Sequence, residues 1–459
     1  MPAPEGRGPR RALVLALALV ICCAPAGAQT QDSLRVGIGQ AVRMAVEYNH
    51  ELASARLEVG RADARVQEAW GTALPRLDLN GRYTRALKKP VFFLPDFSDL
   101  ESGRIVPIEI GSNHAVDLNL TASQVLFNSA VFVGVGAAKI YSHAAREGYR
   151  AKVAETVALA RGAHDKVLVA QEAVALMRQT LANAQQNLHT TQALSAQGLV
   201  SEYDQLRAEV AVENLRPELL NIENGLQLAL NTLKAVIGVP YDRPLAVEGK
   251  LEFVPVDSSI IAGAQEKVLT ENHALAGLRL QSEVNDAIIS AQKSEYLPVL
   301  SAFGTYQYVA QSNQFNISTN DFISASTVGL SLSLNIFNGL QSNARVEQAT
   351  LEYRKSQEQV AGLELRLQTS TEAVLLNLEK ARLRIISQGR TVDQAERGYV
   401  IATARYESGL ATLLEVNDAL LALTRAKVNR IEAIDEYKTA ATQLDQLLGR
   451  VPDNLGEIE

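Results

Sequence analysis

From about Ala130 to Ala196 the chain has no proline, and apolar residues recur every seven positions. Val153, Ala160, Val167, Val174, Leu181 and Leu188 form one row. A second row, Thr156, Ala163, Ala170, Met177, Ala184 and Thr191, lies three positions further on and is mostly small. A large-against-small seam of period 3.5 is what close-packed coiled helices require. About 67 residues at about 1.5 Å each predict a rod of roughly 100 Å. The pattern breaks at Gly198-Leu199 and restarts within Gln197–Glu209, so the chain turns back as a second helix. Pro217 is expected to end or kink that return, which stops at Ile237-Gly238-Val239-Pro240.

Ahead of the rod, Gln40–Gly71 reads as one amphipathic helix ending at Ala73-Leu74-Pro75. The period then changes to two. Leu77, Leu79 and Tyr83 alternate with Asp78, Asn80 and Arg82, a strand over about 75–86. Lys88–Asn113, with Pro90, Pro95 and Pro107, reads as a loop. A second strand, about 115–127, sets Val116, Leu118 and Leu120 against Asp117, Asn119 and Thr121.

The programme then repeats. Asn272-His273-Ala274-Leu275 echoes Asn49-His50-Glu51-Leu52, Leu297-Pro298 echoes Leu74-Pro75, and Tyr306 echoes Tyr83, all at one offset. Phe337-Asn338-Gly339 echoes Phe127-Asn128-Ser129 at a shorter offset, so the first strand-to-strand loop is the longer one. Gly409 echoes Gly198, and Leu378, Ile385, Val392 and Tyr399 continue the heptad of Val167, Val174, Leu181 and Leu188. The economical reading is a duplicated helix–strand–strand–helix–helix unit. Residues 29–240 form the first copy, with a helical hairpin over 130–237. A linker, 241–262, leads to the second copy, 263–450, with strands at about 298–310 and 325–337, a hairpin over 340–448, and a tail, 451–459. In the last of these strands Val328, Leu330, Leu332, Leu334 and Ile336 share a face.

Composition refines this picture. Arg7, Arg10 and Arg11 precede an apolar run, Ala12–Cys23, and Ala26-Gly27-Ala28 supplies the small residues of a cleavage site. Residues 1–28 are expected to be a secretory signal, cut after Ala28. Both cysteines, Cys22 and Cys23, lie inside it, and Ile21 disfavours a lipoprotein cut at Cys22. The mature chain therefore has no thiol for disulfides or metal. Removing 1–28 takes away three arginines and one glutamate, so the net charge goes from −7 to −9, which argues against nucleic acid. Catalysis finds no support. The histidines show no ligand spacing, Gly134-Val135-Gly136 lacks the rest of a dinucleotide loop, and no nucleophile elbow or phosphate loop occurs. His164-Asp165, mid-helix, reads as surface or packed, and no cofactor or metal is expected.

Each strand has about ten residues, the length a tilted strand needs to cross a bilayer. Four such strands cannot close a barrel, and an open edge in lipid is not viable. If they span a membrane, several chains share one barrel; three would supply twelve strands. The competing readings are a soluble sandwich and a secreted coiled-coil structural protein, the latter leaving the strands unexplained.

These residues resemble the TolC-like outer-membrane efflux proteins of Gram-negative bacteria. The resemblance rests on Asn49–Leu52 with Leu74-Pro75, their repeats Asn272–Leu275 with Leu297-Pro298, Leu126-Phe127-Asn128-Ser129, Ile336-Phe337-Asn338-Gly339, and Arg405-Tyr406 leading into Gly409-Leu410-Ala411-Thr412. It implies a mainly α fold with a membrane β-barrel. A homotrimer would form a twelve-stranded barrel in outer-membrane lipid and a long α-helical barrel in the periplasm. Such ducts meet a periplasmic membrane-fusion adaptor and an inner-membrane pump, proton-driven or ATP-driven. Drug or metal efflux and type I protein secretion are alternative cargo roles. Gly198, Leu199, Gly409 and Leu410 match the adaptor-contact turns. Tyr406 and Asp204 match two members of a tyrosine–arginine–aspartate latch, whose arginine position falls on Ala411. Glu415 and Asp418 match positions of a carboxylate ring at the entrance. Without the resemblance, Asp204, Glu415 and Asp418 also read as helix-start carboxylates, worth about 0.3–1 kcal/mol each, and Tyr406 as heptad packing.

Overall fold

The structure is a computed structural model describing residues 34–95, 103–315, 318 and 321–451. The expected signal, 1–28, and all of the tail beyond 451 lie outside the described residues. Its elements run β1 (Leu34–Val36), α1 (Ile38–Tyr48), α2 (His50–Gly71), β2 (Arg76–Arg85), β3 (Val91–Pro95), β4 (Ile105–Glu109) and β5 (His114–Phe127). Next come α3 (Ser129–Ala196), α4 (Glu202–Val236), β6 (Leu245–Val247), α5 (Ser258–Ala262), α6 (Ala264–Glu271) and α7 (His273–Lys293). A 3₁₀ turn at Ser294–Tyr296, β7 (Val299–Ser312), β8 (Phe322–Ser333), α8 (Gln341–Glu407) and α9 (Leu413–Leu447) complete the chain.

The sheet is antiparallel in the order β2-β5-β7-β8. Its register aligns Leu79 with Leu120, Leu120 with Tyr306, and Tyr306 with Ser326. Directly opposed residues share a face, so the alternation of each strand adds up across the sheet. One face carries Leu77, Leu79, Tyr83, Leu118, Leu120, Tyr306, Val328 and Leu330; the other carries Asp78, Asn80, Asn119, Thr121, Thr305 and Gln307. The apolar face lies exposed along β2 and β8, including Leu77, Leu79, Val328, Leu330 and Leu332. That inverts the soluble rule and matches a surface made for lipid.

The helices continue this lateral order in two tiers. Next to the sheet the neighbours are α2-α3-α7-α8; farther away they are α4-α3-α9-α8. Each tier is therefore a strip with one edge from the first repeat (β2, α2, α4) and one from the second (β8, α8). Where the tiers meet, β1 pairs in parallel with β6. Two cores form there. Val36, Ala41, Leu52, Val157, Leu233 and Ile237 build the first; Val268, Leu275, Leu378, Tyr437 and Leu444 build the second.

The repeated Asn-His-x-Leu segments hold that level together. Asn49 caps α2, its side-chain oxygen accepting from the Glu51 and Leu52 amides, while its Nδ2 donates to the Val236 carbonyl at the end of α4 at 3.2 Å. Asn272 caps α7 through the Leu275 amide and donates to the Leu447 carbonyl of α9 at 3.0 Å. One side chain thus ties the start of an upper helix to the end of a lower one, satisfying orphan groups of both. A glycine seals each contact. A Cβ on Gly238 (φ +69°) would lie 2.7 Å from the Tyr48 carbonyl oxygen, and one on Gly449 (φ +65°) 3.1 Å from that of Glu271.

Four expectations need correction. The Gln40–Gly71 helix is broken at Asn49, because a capping asparagine ends one helix and starts the next. The 88–113 stretch contains the hairpin β3–β4; both strands are edges, where Pro95 and Pro107 remove no needed donor. Pro217 does not end α4, which runs on to Val236; the proline lies exposed while other residues of α4 pack on α3. Finally, β8 stops at Ser333, so Leu334 and Ile336 fall outside the strand.

Ion pairs join the two repeats just below the junction. Arg161 meets Asp445 at 2.6 Å, Lys166 meets Asp435 at 2.5 Å, and Asp165 meets Lys438 at 2.9 Å. His164 is packed, 2% exposed, with no hydrogen-bond partner for either ring nitrogen among the described residues. Burial acts to raise the Asp165 carboxyl, but the Lys438 ammonium at 2.9 Å, with the His164 ring 3.9 Å away, outweighs it and holds it below the usual range. A depressed carboxylate stabilises the fold above its unfolded pKa, and the contribution disappears as pH falls through the lower folded value. Lys438→Met should therefore destabilise by about 3–5 kcal/mol at neutral pH, with the gap to wild type closing below about pH 4; thermal unfolding in detergent across pH measures it. Asn272→Ala should cost about 1–2 kcal/mol in the same assay.

Candidate functional site

The far ends of the two hairpins are built by the same local chemistry. Helix α3 ends with Gly198 at φ +70°, the Leu199 amide bonding the Leu194 carbonyl and the Gly198 amide that of Ser195. Helix α8 ends with Gly409 at φ +70°, the Leu410 amide bonding Arg405 and the Gly409 amide Tyr406. This is the glycine-dependent Schellman close, which satisfies carbonyls a helix end would otherwise leave bare. Each return helix then opens on a capping box. Ser201 and Asp204 form it at α4; Thr412 and Glu415 form it at α9. Stop and start signals sit so close together that the chain reverses within a few residues.

The predicted site residues separate into four groups. Asp204 and Glu415 are both held in capping boxes, at the third helical position. Asp204 also accepts from the Ser201 hydroxyl at 2.7 Å, and Glu415 lies 3.8 Å from Arg405. Asp418, one turn into α9, is exposed and makes no side-chain bond among the described residues. Leu199 and Leu410 project into solvent, 67% and 69% exposed, at the apex of the two corners. Arg405 turns outward and donates to the Leu410 carbonyl at 3.1 Å.

Tyr406 is 3% exposed and packs with Ala208, Leu413 and Val416, with Ala411 and Tyr399 at the margin. Its hydroxyl does not reach a charged group: it lies 2.9 Å from the Thr191 Oγ1, which itself donates to the Asn187 carbonyl. Seven residues earlier, the Tyr399 hydroxyl donates to Asn187 Oδ1 at 3.3 Å, and farther up the Thr180 and Thr424 hydroxyls meet at 3.2 Å. The hairpins are thus joined near the tip by neutral hydrogen bonds, where the residues above use ion pairs. Asn187 and Thr191 escaped the sequence reading. Thr191 stood there as a small member of a packing row, and the available signal was that a hydroxyl replaces alanine in that row next to the corner.

Known proteins share this architecture. The family model described as outer membrane efflux protein matches residues 41–239 and 265–450, both repeats. The chain belongs to the outer membrane efflux protein family. Among curated relatives, the cobalt-zinc-cadmium resistance protein CzcC of Cupriavidus metallidurans is 24% identical over 346 residues, covering 75% of this chain and 76% of the relative. The outer membrane protein TolC of Vibrio cholerae is 22% identical over 336 residues, covering 72% and 76%. The crystal structure of the outer membrane protein VceC of Vibrio cholerae superposes with a TM-score of 0.75 at 18% identity, covering 90% of this chain and 96% of that one. This efflux protein therefore resides in the Gram-negative outer membrane, with its four-stranded sheet in the bilayer and its helices in the periplasm. Its role is export across that membrane, which excludes a secreted coiled-coil scaffold and a soluble sandwich.

The corner makes two stability predictions. Gly409→Ala forces a Cβ into the left-handed region and should cost about 1–2 kcal/mol. Tyr406→Phe removes one buried hydroxyl contact and should cost about 0.5–1.5 kcal/mol. Far-UV circular dichroism of the detergent-solubilised protein during urea unfolding reads both.

Proposed function

We propose that this efflux protein is a passive homotrimeric exit duct, opened at its helical tip by a periplasmic membrane-fusion adaptor and an inner-membrane pump. The observation that carries this reading is the shared lateral order of the sheet and both helical tiers. Each tier ends in two open edges, and the edges stack in line from the membrane to the tip. A head-to-tail assembly satisfies all of them at once, β2 meeting β8 and α4 meeting α8 of the next copy. Apolar side chains wait on both helical edges near the tip: Tyr203, Leu206 and Val210 on α4, and Val400 and Ile401 on α8. Three copies supply the twelve strands of a closed barrel. The export step needs no catalysis and no cofactor from this chain; energy comes from the pump, whether driven by protons or by ATP.

The exposed leucines of the two corners, Leu199 and Leu410, are the adaptor contacts in this scheme, and the glycines Gly198 and Gly409 shape them. The resting mouth is held by the neutral contacts of Tyr406 with Thr191 and of Tyr399 with Asn187, in place of an ionic latch. Asp418, exposed and without a side-chain bond among the described residues, is the entrance carboxylate. Repeated by threefold symmetry in a narrow opening, it concentrates cations and repels anions. Glu415 adds to that field from its capping box, and Asp204 serves chiefly to start α4.

Fractionation tests placement: recovery from the periplasm without detergent would overturn the duct. In planar bilayers, Asp418→Asn combined with Glu415→Gln, which keeps a capping-box side chain, should shift the reversal potential toward zero under a salt gradient. An unchanged potential counts against the entrance ring. Tyr406→Phe with Thr191→Val should raise the open-state occupancy of the reconstituted channel, because both keep nearly the same volume while the contact between the two helices is lost, together with the Thr191 bond to its own helix carbonyl. Unchanged occupancy would mean that packing alone holds the mouth.

A further inference from the structure

The strand ends farthest from the rods carry chemistry that neither barrel closure nor the helical tip uses. On the lipid-facing side, Tyr83 is followed two residues later by Arg85, which pairs in register with His114. Residues two apart on a strand share a face, so Arg85 stands on the same face as Tyr83 and one step nearer the outside. The rim around it is aromatic and tied together, with Tyr83 one step nearer the rods and His114 directly opposite. The Tyr83 hydroxyl bonds His114 Nδ1 at 2.7 Å, and Phe315 packs edge-on to both rings at 6.1 and 5.4 Å. Tyr308 and Phe322 stack at 4.6 Å farther along the same face. Such a girdle marks the level where hydrocarbon gives way to headgroups. Arg85 is exposed at the level of His114, Lys88 is exposed just past the end of β2, and the Lys89 ammonium is fixed on the Asn313 carboxamide at 2.8 Å. Among the described residues no carboxylate lies within ion-pair distance of Arg85 or Lys88.

A cationic group at the outer edge of an aromatic girdle, on the face that meets lipid, faces headgroups rather than solvent or lumen. Arginine engages phosphate through two parallel N–H bonds, and a nearby lysine adds a point charge. In the outer leaflet of this membrane the phosphate is borne by the acylated glucosamine headgroup of lipopolysaccharide. We propose that Arg85 and Lys88 form a binding site for the phosphorylated headgroup of an outer-leaflet glycolipid, with the Tyr83–His114–Phe315 cluster as its apolar floor. The inference rests on the membrane reading of the sheet. It adds a ligand at the first-repeat edge of the barrel, where β2 meets the next copy. There the glycolipid bridges neighbouring protomers and strengthens the trimer.

The test uses the full-length trimer, delipidated in detergent and titrated with bisphosphorylated lipid A, dephosphorylated lipid A, or inorganic phosphate, with dissociation on heating as readout. Bisphosphorylated lipid A should raise the dissociation temperature of wild type, while the dephosphorylated form and inorganic phosphate should not. Arg85→Gln/Lys88→Gln should cut the lipid retained through purification by about threefold or more and abolish the shift. Equal shifts with both lipid A forms, or an undiminished shift in the variant, would overturn the site. So would a variant that melts low without any lipid and is matched by Asp321→Asn, at the residue just before β8, which would reveal an ion pair between copies at the β2–β8 edge. Conductance of the same preparations separates this from the duct itself: a conducting variant trimer with unchanged lipid retention refutes the glycolipid site alone.

Discussion

The molecule depends on one junction, made twice. At the level where the hairpins end and the membrane-proximal helices begin, a single asparagine caps the upper helix and holds the last carbonyls of the lower one. Asn49 does so toward Val236 and Asn272 toward Leu447. Gly238 and Gly449 let the backbones approach closely enough for those bonds to form. A helix end buried without partners would forfeit several hydrogen bonds. Here the end of one helix and the start of another cancel each other's deficit. Two short helices are thereby stacked into one column beside each unbroken rod, α3 or α8, and the chain acquires four columns from two hairpins.

That column arithmetic explains why the sheet and the helices agree in order. Strand β5 runs directly into α3, and β8 leads into α8, so the strand order is imposed on the helices beneath it. The strip has no way to satisfy its own edges. In the membrane this is decisive, because a strand edge in hydrocarbon leaves backbone donors and acceptors bare. Along the helices it is gentler, a stripe of exposed leucines, valines and isoleucines. The bilayer makes assembly obligatory, and the helical edges keep it in register over the length of the rods.

Along the seam between repeats the chemistry changes from charge to neutrality. Near the junction Arg161, Asp165 and Lys166 pair with Asp445, Lys438 and Asp435; near the tip the partners are Thr, Asn and Tyr. Breaking a half-buried ion pair by separation strands two charges, whereas parting two hydroxyls strands groups that water can serve. The seam is therefore held by charge where the repeats are anchored and by neutral contacts near the tip, the end at which the proposed duct opens.

The sequence alone determined whatever is local and periodic. Heptads gave the rods, period-two alternation the four strands, and the two glycine corners their positions, because each depends on side chains a few residues apart. Duplication was legible for the same reason, as Asn49–Leu52 and Asn272–Leu275 repeat in kind. What those asparagines do was not, since their acceptors, Val236 and Leu447, lie far along the chain. The β3–β4 hairpin hid behind its prolines, and the continuation of α4 past Pro217 to Val236 reflects packing on α3 that overrides a local breaker. At the tip, Asp204, Glu415, Leu199 and Leu410 could be placed from sequence, because capping and turn chemistry is short-range. Only the tertiary structure decided that Tyr406 meets Thr191 rather than a charge, because that hydrogen bond is set by how two coiled hairpins lie against each other.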